Sequence, residues 1–199
     1  MVEVKAFNMW SVQGIKIEDE GLKDYINLEP RFVPKTGARY AKSRFHKSKT
    51  FIVERLMNKL MVPGHKGKKH FRTSYKATGK GNTAYQVVED TLKIIEKKTK
   101  RNPVEVLAKA VENGAPREEI VTIEYGGARY AKATECGPQR RVDLALRHIV
   151  QGAYARSSKR KTSAAEALAA ELIDAYNLEA SSNAISKKRD LERQSDSSR

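Results

Sequence analysis

The arginines that follow Gly137-Pro138 are the residues whose type and spacing most clearly suggest a chemistry. They stand in the run Pro-Gln-Arg-Arg, which opens a helical pattern. A guanidinium is a planar fork that holds a phosphate through two hydrogen bonds or stacks on a base, whereas a lysine ammonium acts as a point charge. We therefore predict that Arg140 and Arg141 bind phosphate. For Arg141, an ion pair with Asp143 or Glu135 is the alternative.

A second cationic group lies between Lys35 and Lys80. This segment has fourteen basic residues against the single acid Glu54 and accounts for most of the chain's formal net charge of +15. A solvated charged face normally mixes both signs, so this bias favours an anionic partner. Glycines and aromatic residues are interleaved with the lysines, which suits an irregular RNA surface with exposed bases.

The other reactive residues form no catalytic or metal-binding pattern. Zinc needs around four ligands at regular spacing. His46, His65 and His70 are near one another in the sequence, but the single cysteine, Cys136, is too distant to complete such a pattern. The run from Gly79 to Thr83 lacks the glycine spacing of a nucleotide-binding loop, and an RNA phosphate at that helix start is the better interpretation. Helix capping and ion pairing explain the acidic residues. We predict no enzyme, no cofactor and no metal.

The length of the chain indicates one domain with appendages, and its charge indicates a polyanionic binding partner. The chain has 199 residues and a pI near 9.9. A merely soluble basic protein is the alternative. The single cysteine cannot form an internal disulfide, which is natural in a reducing compartment. No apolar run reaches membrane-spanning length. We expect a cytoplasmic protein without a membrane partner.

A β-hairpin and a set of helices must position these cations. Two alternating segments around Gly126-Gly127 predict the hairpin over about 119–134, because the glycines supply the positive φ of a two-residue loop. A two-stranded ribbon is marginal in water, so it must pack on something else. The predicted pairs are Tyr125 with Ala128, Glu124 with Arg129, Ile123 with Tyr130 and Val121 with Lys132, which places Val121, Ile123, Tyr125 and Tyr130 on one face.

Helical spacing and end signals predict a mainly α fold, a bundle of about six helices around one small core with the hairpin projecting from it. The helices are expected at about 48–61 and 83–99, at 103–114 behind an Asn102 cap, from Pro138 onward, behind a Ser163–Glu166 capping box, and as a frayed or partner-dependent helix after Asn177 with a disordered end. The helix from Pro138 should bury Val142, Ala145, Leu146, Ile149 and Ala153 and expose Arg140, Arg147 and Gln151 on the opposite side, with Arg141 and His148 on a flank. Phe7, Trp10 and Tyr25 should pack on the main body, and stacking on bases is the alternative.

The predicted organisation has three parts. Residues 1–47 form an N-terminal extension with a basic segment, residues 48–181 form a helical RNA-binding domain, and residues 182–199 form a polar C-terminal tail.

Several segments together resemble the universal small-subunit ribosomal protein seven family in its archaeal form. They cover nearly the whole chain in the expected order. The segments are FNMWSVQGIKIEDEGLKDYINLEP (Phe7–Pro30), IVERLMNKLM (Ile52–Met61), YQVVEDTLKIIEKKTKRNPVEVLAKAVENGAPREE (Tyr85–Glu119), GGARYAKATE (Gly126–Glu135) and PQRRVDLALRHIVQGAYARSSK (Pro138–Lys159).

The resemblance implies a ribosomal protein that binds the 3′ major domain of small-subunit rRNA and nucleates folding of the head. It also implies a position near the exit-site tRNA and the mRNA path, beside the universal small-subunit protein eleven. A homo-oligomer is not expected. We predict RNA contacts at Lys35, Arg39, Lys42, Arg44, Lys47, Lys49, Lys66, Lys68, Lys69, Arg72, Lys80, Arg129, Lys132, Arg140, Arg141, Arg147, Lys159, Arg160 and Lys161.

The sequence departs from the family pattern at two places. Gly79-Lys80-Gly81 stands where the resemblance predicts Gly-Lys-Lys, and a basic insert at about 65–76 has local RNA or another protein as its possible partner. Two other functions fit the composition. A nucleic-acid-packaging protein would make the Pro-Gln-Arg-Arg helix and hairpin coincidental, and an RNA-modifying enzyme would need a cofactor loop or a catalytic cluster.

Overall fold

A computed structural model describes residues 4–39, 41–66, 71–158 and 160–199, of which residues 65, 66, 71 and 72 are described by backbone alone. In chain order the elements are α1 (Glu20–Lys23), a 3-10 turn (His46–Lys49), α2 (Ile52–Leu60), β1 (His65–Lys66), β2 (Phe71–Arg72), α3 (Gly81–Thr99), α4 (Pro103–Gly114), β3 (Glu118–Tyr125), β4 (Ala128–Glu135), α5 (Pro138–Ser157), α6 (Ala164–Tyr176) and α7 (Asn183–Asp196). The predicted mainly α fold with a hairpin is confirmed.

The ends of the helices are set by the residues that predicted them. The Asn102 side chain accepts from the backbone N–H of Val104 at 3.0 Å and caps α4. Ser163 and Glu166 form the reciprocal capping box of α6, at 3.2 and 3.0 Å. Proline opens α5, as predicted. The helix predicted at about 48–61 is shorter in the structure. Helix α2 begins only at Ile52, and residues 46–49 form a 3-10 turn ahead of it.

Helix α5 lies at the centre of the bundle, where it packs against α2, α4, α6 and α7. Its predicted inward stripe is confirmed, since Val142, Ala145, Leu146, Ile149 and Ala153 are all buried. Removing these apolar side chains from water is the main stabilising contribution to the bundle. The N-terminal residues join the same core: Phe7 and Trp10 are buried with their ring centroids 6.0 Å apart, as predicted.

The hairpin forms in the predicted register. Strands β3 and β4 pair Tyr125 with Ala128, Glu124 with Arg129 and Ile123 with Tyr130. Gly126 and Gly127 have φ of 58° and 80°, the left-handed conformation that a two-residue hairpin loop requires. Every residue from Val121 to Lys132 is exposed, so this part of the hairpin projects from the body. Its base packs against α7.

The C-terminal segment differs from the expected frayed tail. Ser182 caps α7 by accepting from the backbone N–H groups of Ala184 and Ile185, and both of these residues are buried. The buried Glu171 carboxylate of α6 accepts from Ser182 Oγ at 2.9 Å and from the N–H of Asn183 at 2.6 Å. A docked helix therefore replaces the expected tail, because the Glu171 carboxylate and the two buried residues Ala184 and Ile185 substitute for a long apolar stripe. The division at residues 47 and 181 stays a prediction.

Candidate nucleic-acid interface

The start of the basic segment and helix α5 meet across one open cleft of about 890 Å³. Residues 34–38, 41, 46 and 47 line it, together with parts of α2, the loop after α2 and the middle of α5. Five cationic side chains and only two carboxylates line this cleft. The cations are Lys35, Lys47, Arg55, Lys59 and Arg147, and the acids are Glu54 and Asp143. We call this surface the basic cleft.

One wall of the basic cleft is fixed by Glu54, the single acid of the basic segment. Its buried carboxylate accepts from the backbone N–H of Thr36 at 2.8 Å and from the Thr36 hydroxyl at 2.6 Å. These bonds hold the loop after Pro34 against α2. The neighbouring residue Lys35 donates to Asn82 Oδ1 at 2.6 Å, and its Nζ lies 5.6 Å from the centroid of the Tyr85 ring. The loop is therefore attached to both α2 and α3.

Asp143 links the other side of the cleft to α5. It accepts from Lys47 Nζ at 2.8 Å and from Arg55 Nη2 at 3.2 Å. Arg55 is buried and also donates to the backbone carbonyl of Tyr25 at 2.7 Å. Burial alone raises the pKa of Asp143, but the hydrogen bond from Lys47 and the charges of Arg55 and Lys47 outweigh it, and the net pKa is lowered. Asp143 is thus an anion that holds two cations in place.

Lys59 shows that this cleft has more positive charge than its own acids balance. The pKa of Lys59 is lowered, first by burial and then by repulsion from Arg147, Lys47 and Arg55, although Asp143 opposes the shift. Lys59 and Arg147 have no ion-pair partner among the described residues. An anion bound among these like charges would reduce their repulsion, and the phosphates of a polyanion are groups that can do so.

The two arginines predicted as the best phosphate ligands have different environments. Arg140 is 57% exposed and forms a two-point ion pair with Glu119, with both N–O distances at 2.6 Å. Arg141 is buried, and its guanidinium donates to Asp19 at 2.7 Å and to the carbonyl of Pro116 at 3.1 Å. Its partner is neither Asp143 nor Glu135. In this conformation Arg140 is available at the surface, and Arg141 joins the N-terminal segment to the body.

The hairpin carries two of the predicted contacts away from the body. Arg129 is 76% exposed and lies 3.6 Å from Glu124 across the strands, and Lys132 is exposed without an ion pair in the described part of the chain. The face opposite Arg129 includes Lys132, which pairs with Val121, and it has the predicted apolar and aromatic side chains, all exposed. They are Val121, Ile123, Tyr125 and Tyr130.

Some of the remaining predicted cations are exposed on the surface, and the side chains of the others lie outside the residues that the structure describes. The exposed group forms no ion pair with any described residue, and it comprises Arg39, Lys42, Arg44, Lys49, Lys80, Arg160 and Lys161. Arg44 lies over the Phe45 ring at 5.2 Å. The side chains of Lys66 and Arg72, and the whole of Lys68, Lys69 and Lys159, lie outside the described residues.

Sequence reasoning missed the part of Arg55 and Lys59 in this surface. Both belong to α2, which the sequence presented as a core helix because Val53, Leu56 and Met57 repeat at helical spacing. The available signal was that Arg55 and Lys59 are four residues apart and therefore share one face of α2. That face lies toward Asp143 of α5, which helical spacing alone did not indicate.

Neither a metal centre nor a membrane span occurs within the described residues. They contain no group of three or more His, Cys, Asp or Glu side chains arranged to hold a metal ion. None of the described helices is both long and apolar enough to cross a bilayer. Cys136 is buried, and burial together with the nearby Glu119 raises the pKa of its thiol to about 11. That thiol is therefore a poor nucleophile at neutral pH.

Comparison with known proteins gives matches along nearly the whole chain. The sequence model of the family described as ribosomal protein S7p/S5e matches residues 22–199. The small ribosomal subunit protein uS7 of Nanoarchaeum equitans is 52% identical over 198 residues, which is all of both chains. The uS7 protein of Methanosphaera stadtmanae is 48% identical over 95% of each chain. That of Archaeoglobus fulgidus is 44% identical over 99% of this chain and 96% of the relative.

Proposed function

The chain belongs to the ribosomal protein S7p/S5e family, and from that premise we propose that it binds the 3′ major domain of small-subunit rRNA and nucleates assembly of the head. As a member of this family it is an RNA-binding component of the small subunit of the cytoplasmic ribosome, and it is not an enzyme. Family membership thus removes the RNA-modifying enzyme and the packaging protein from consideration.

The observation that carries the proposal is the basic cleft. Phosphates of neighbouring RNA helices repel one another, and a rigid array of cations between them lowers that repulsion and favours one arrangement. The array here is rigid because Glu54 fixes Thr36 and Asp143 fixes Lys47 and Arg55. Pre-positioned cations lose less side-chain entropy on binding than free ones do. The cleft therefore suits a junction of RNA helices better than a single extended strand.

Exposed cations on either side of Arg147, which itself lines the basic cleft, extend this surface. Arg140 and Arg147 follow one another at seven residues along α5, so they share one side of that helix, and Arg160 and Lys161 come directly after its end. RNA that enters the basic cleft continues along this side of α5 in our proposal.

For the hairpin and α7 we propose the more specific location near the exit-site tRNA and the mRNA path, with protein eleven of the small subunit as a neighbour. The hairpin projects, and it presents two tyrosines on one face and Arg129 with Lys132 nearby. Tyrosine rings stack on unpaired bases, and cations bind the backbone between them.

The test of the assembly proposal is a binding and reconstitution experiment. The full-length protein is mixed with a transcript of the 3′ major domain and, separately, with a transcript of another rRNA domain of similar length. We expect tight binding to the first only, and RNase-sensitive co-sedimentation with small subunits in a cell extract. Equal affinity for both transcripts would contradict the proposal.

The location of the hairpin is tested by placing a photo-crosslinking amino acid at Tyr125, a residue that is 81% exposed. In assembled small subunits programmed with mRNA and tRNA, we expect crosslinks to one of those two RNAs. The matched control is the same crosslinker at Lys97, an exposed position on α3. Crosslinks from Tyr125 to internal rRNA alone would refute this location.

A further inference from the structure

A second cleft of about 210 Å³ lies where four helix ends meet. The last residues of α2 and α5 and the first residues of α3 and α6 surround it, together with the loop before α3. Its lining is mostly apolar and includes Leu60, Val87 and Val150, and the ring of Tyr154 also lines it. Two lysines, Lys76 and Lys80, lie at this cleft, and both are exposed. We call this surface the apolar cleft.

The chemistry of the lining favours a flat, apolar-faced group attached to negative charge. Ligand sites of this kind combine an apolar lining with a few polar groups that set orientation. Here the polar groups are the hydroxyls of Thr83 and Ser157, with the two lysines beside them. No carboxylate lines the cleft, so the described side chains leave both lysine charges for the ligand. An apolar protein side chain would make no use of those charges.

We propose that the apolar cleft takes one nucleobase splayed out of an unpaired RNA segment, with the neighbouring phosphates on Lys76 and Lys80. A base stacks on aromatic side chains and is held by hydrogen bonds to its edges, which is the common mode of single-stranded RNA recognition. Tyr154 supplies the ring, the Thr83 hydroxyl supplies a hydrogen bond, and Ser157 Oγ, which donates to the Tyr154 carbonyl at 3.3 Å, supplies an acceptor. The inference rests on the proposed rRNA binding and adds an unpaired nucleotide to it.

The experiment fills the cleft without changing its charge. Ala164 lines the cleft at the first position of α6 and is exposed, so Ala164→Leu adds volume at the cleft and keeps a good helix former. Ala180→Leu, at an exposed position away from the cleft, is the matched control. Affinity for the 3′ major domain transcript is measured at several salt concentrations. Because stacking of one base is lost, we expect Ala164→Leu to weaken binding by roughly 5- to 100-fold.

The salt dependence separates base stacking in the apolar cleft from the phosphate contacts of its two lysines. Ala164→Leu removes no cation, so the slope of log affinity against log salt should stay at the wild-type value. The double variant Lys76→Gln/Lys80→Gln should instead make the slope shallower by roughly 1 to 2. Wild-type affinity of Ala164→Leu, or an equal loss in Ala180→Leu, would overturn the proposal.

A direct readout protects the test against a folding defect. The wild-type protein is irradiated with a transcript that contains 4-thiouridine, and the crosslinked peptides are identified. We expect a crosslink within residues 150–157, and crosslinks confined to other segments would overturn the proposal. Normal RNA binding by Ala164→Leu with failed incorporation into subunits would assign the cleft to a protein neighbour and also overturn it. Failure of the wild type to bind the transcript would instead refute the proposed rRNA binding itself.

Discussion

Two adjacent arginines show how little residue type alone says about role. Successive residues of an α-helix point about 100° apart, so Arg140 and Arg141 cannot share an environment. Arg140 remains at the surface beside Glu119, whereas the buried Arg141 binds Asp19, which is 122 positions away in the sequence. Spacing within α5 placed Arg141 on a flank, and only the packing of the N-terminal segment decided its partner.

The first prediction separates these two arginines. Arg141→Ala leaves the carbonyl of Pro116 and the carboxylate of Asp19 without their buried donor, so we expect the free energy of unfolding to fall by about 1–3 kcal/mol. Arg140→Ala removes an ion pair whose guanidinium is 57% exposed, and the change should be the smaller of the two, at about 1 kcal/mol. Urea unfolding measures both.

The RNA affinities should show the opposite order. Arg140→Ala is expected to weaken binding to the 3′ major domain transcript, whereas Arg141→Lys, which keeps one donor for Asp19, should bind as the wild type does. A stable Arg141→Ala protein with a larger loss of RNA affinity than Arg140→Ala would contradict this assignment.

The second prediction concerns His148, whose two ring nitrogens have no hydrogen-bond partner among the described residues. Burial, with the charges of Arg147 and Lys187, lowers its pKa to about 4. In the unfolded chain the pKa returns to about 6.5, so between these values the unfolded state binds a proton that the folded state does not. Stability should therefore fall as the pH drops from 6.5 toward 4, at up to about 1.4 kcal/mol per pH unit.

The measurement is urea unfolding at several pH values between neutral and about pH 5, before most carboxylates titrate. In His148→Gln this acid loss should be much smaller. His46→Gln, at a partly exposed position in the 3-10 turn, is the control and should keep the wild-type dependence. The same pH profile in wild type and His148→Gln would show that His148 is not the group responsible.

At the scale of elements, α7 is held by a contact that requires a glycine. A Cβ added to Gly152 of α5 would lie 2.7 Å from Glu171 Cδ and 2.8 Å from Asn183 Cβ, closer than real Cβ contacts. Both neighbours belong to the network that docks the start of α7, since Glu171 accepts from Ser182 and from the N–H of Asn183. Helix α7 in turn packs against the base of the hairpin, so Gly152 affects the position of both elements.

The third prediction is therefore that Gly152→Ala destabilises the protein although alanine is the better helix former. Overpacking should lower the free energy of unfolding by about 1–3 kcal/mol. This exceeds the roughly 1 kcal/mol by which the higher helix propensity of alanine raises it. Gly81→Ala is the control, because an added Cβ there meets nothing within 4 Å. Hydrogen exchange should show faster exchange of the α7 amides in Gly152→Ala alone. Unchanged α7 protection would exclude this account of its docking.

What the sequence predicted and missed at this scale follows from the range of the interactions. The hairpin register depends on Gly126-Gly127 and the residues beside them, and the caps at Asn102 and Ser163 act within three residues, so local patterns predicted them correctly. The docking of α7 depends on Glu171, and the shape of the basic cleft depends on Asp143 contacts 88 and 96 positions distant. Such pairs leave no periodic signal in a single sequence.

At the scale of the whole molecule, the positive charge of the basic segment is organised by the bundle. The segment has little regular structure before α2, but its loop is attached to α2 by Glu54, to α3 through Lys35, and to α5 through Lys47. A sequence element that resembles a flexible basic arm is thereby made into one wall of a cleft whose other wall is α5. The bundle thus gives the cationic side chains of a protein with a net charge of +15 a fixed spatial arrangement. A fixed arrangement can distinguish one RNA fold from another.

The central claim is that phosphates of the 3′ major domain occupy the basic cleft, and salt-dependent binding tests it most directly. If about ten phosphates are contacted, the slope of log affinity against log salt should lie near −7 to −9 for the wild type. The triple variant Lys47→Gln/Lys59→Gln/Arg147→Gln should make the slope shallower by roughly 2 to 3. The control Lys16→Gln/Lys97→Gln/Lys98→Gln, which removes three exposed charges that do not line the cleft, should leave the slope near the wild-type value. Equal slopes for the two triple variants would contradict the claim.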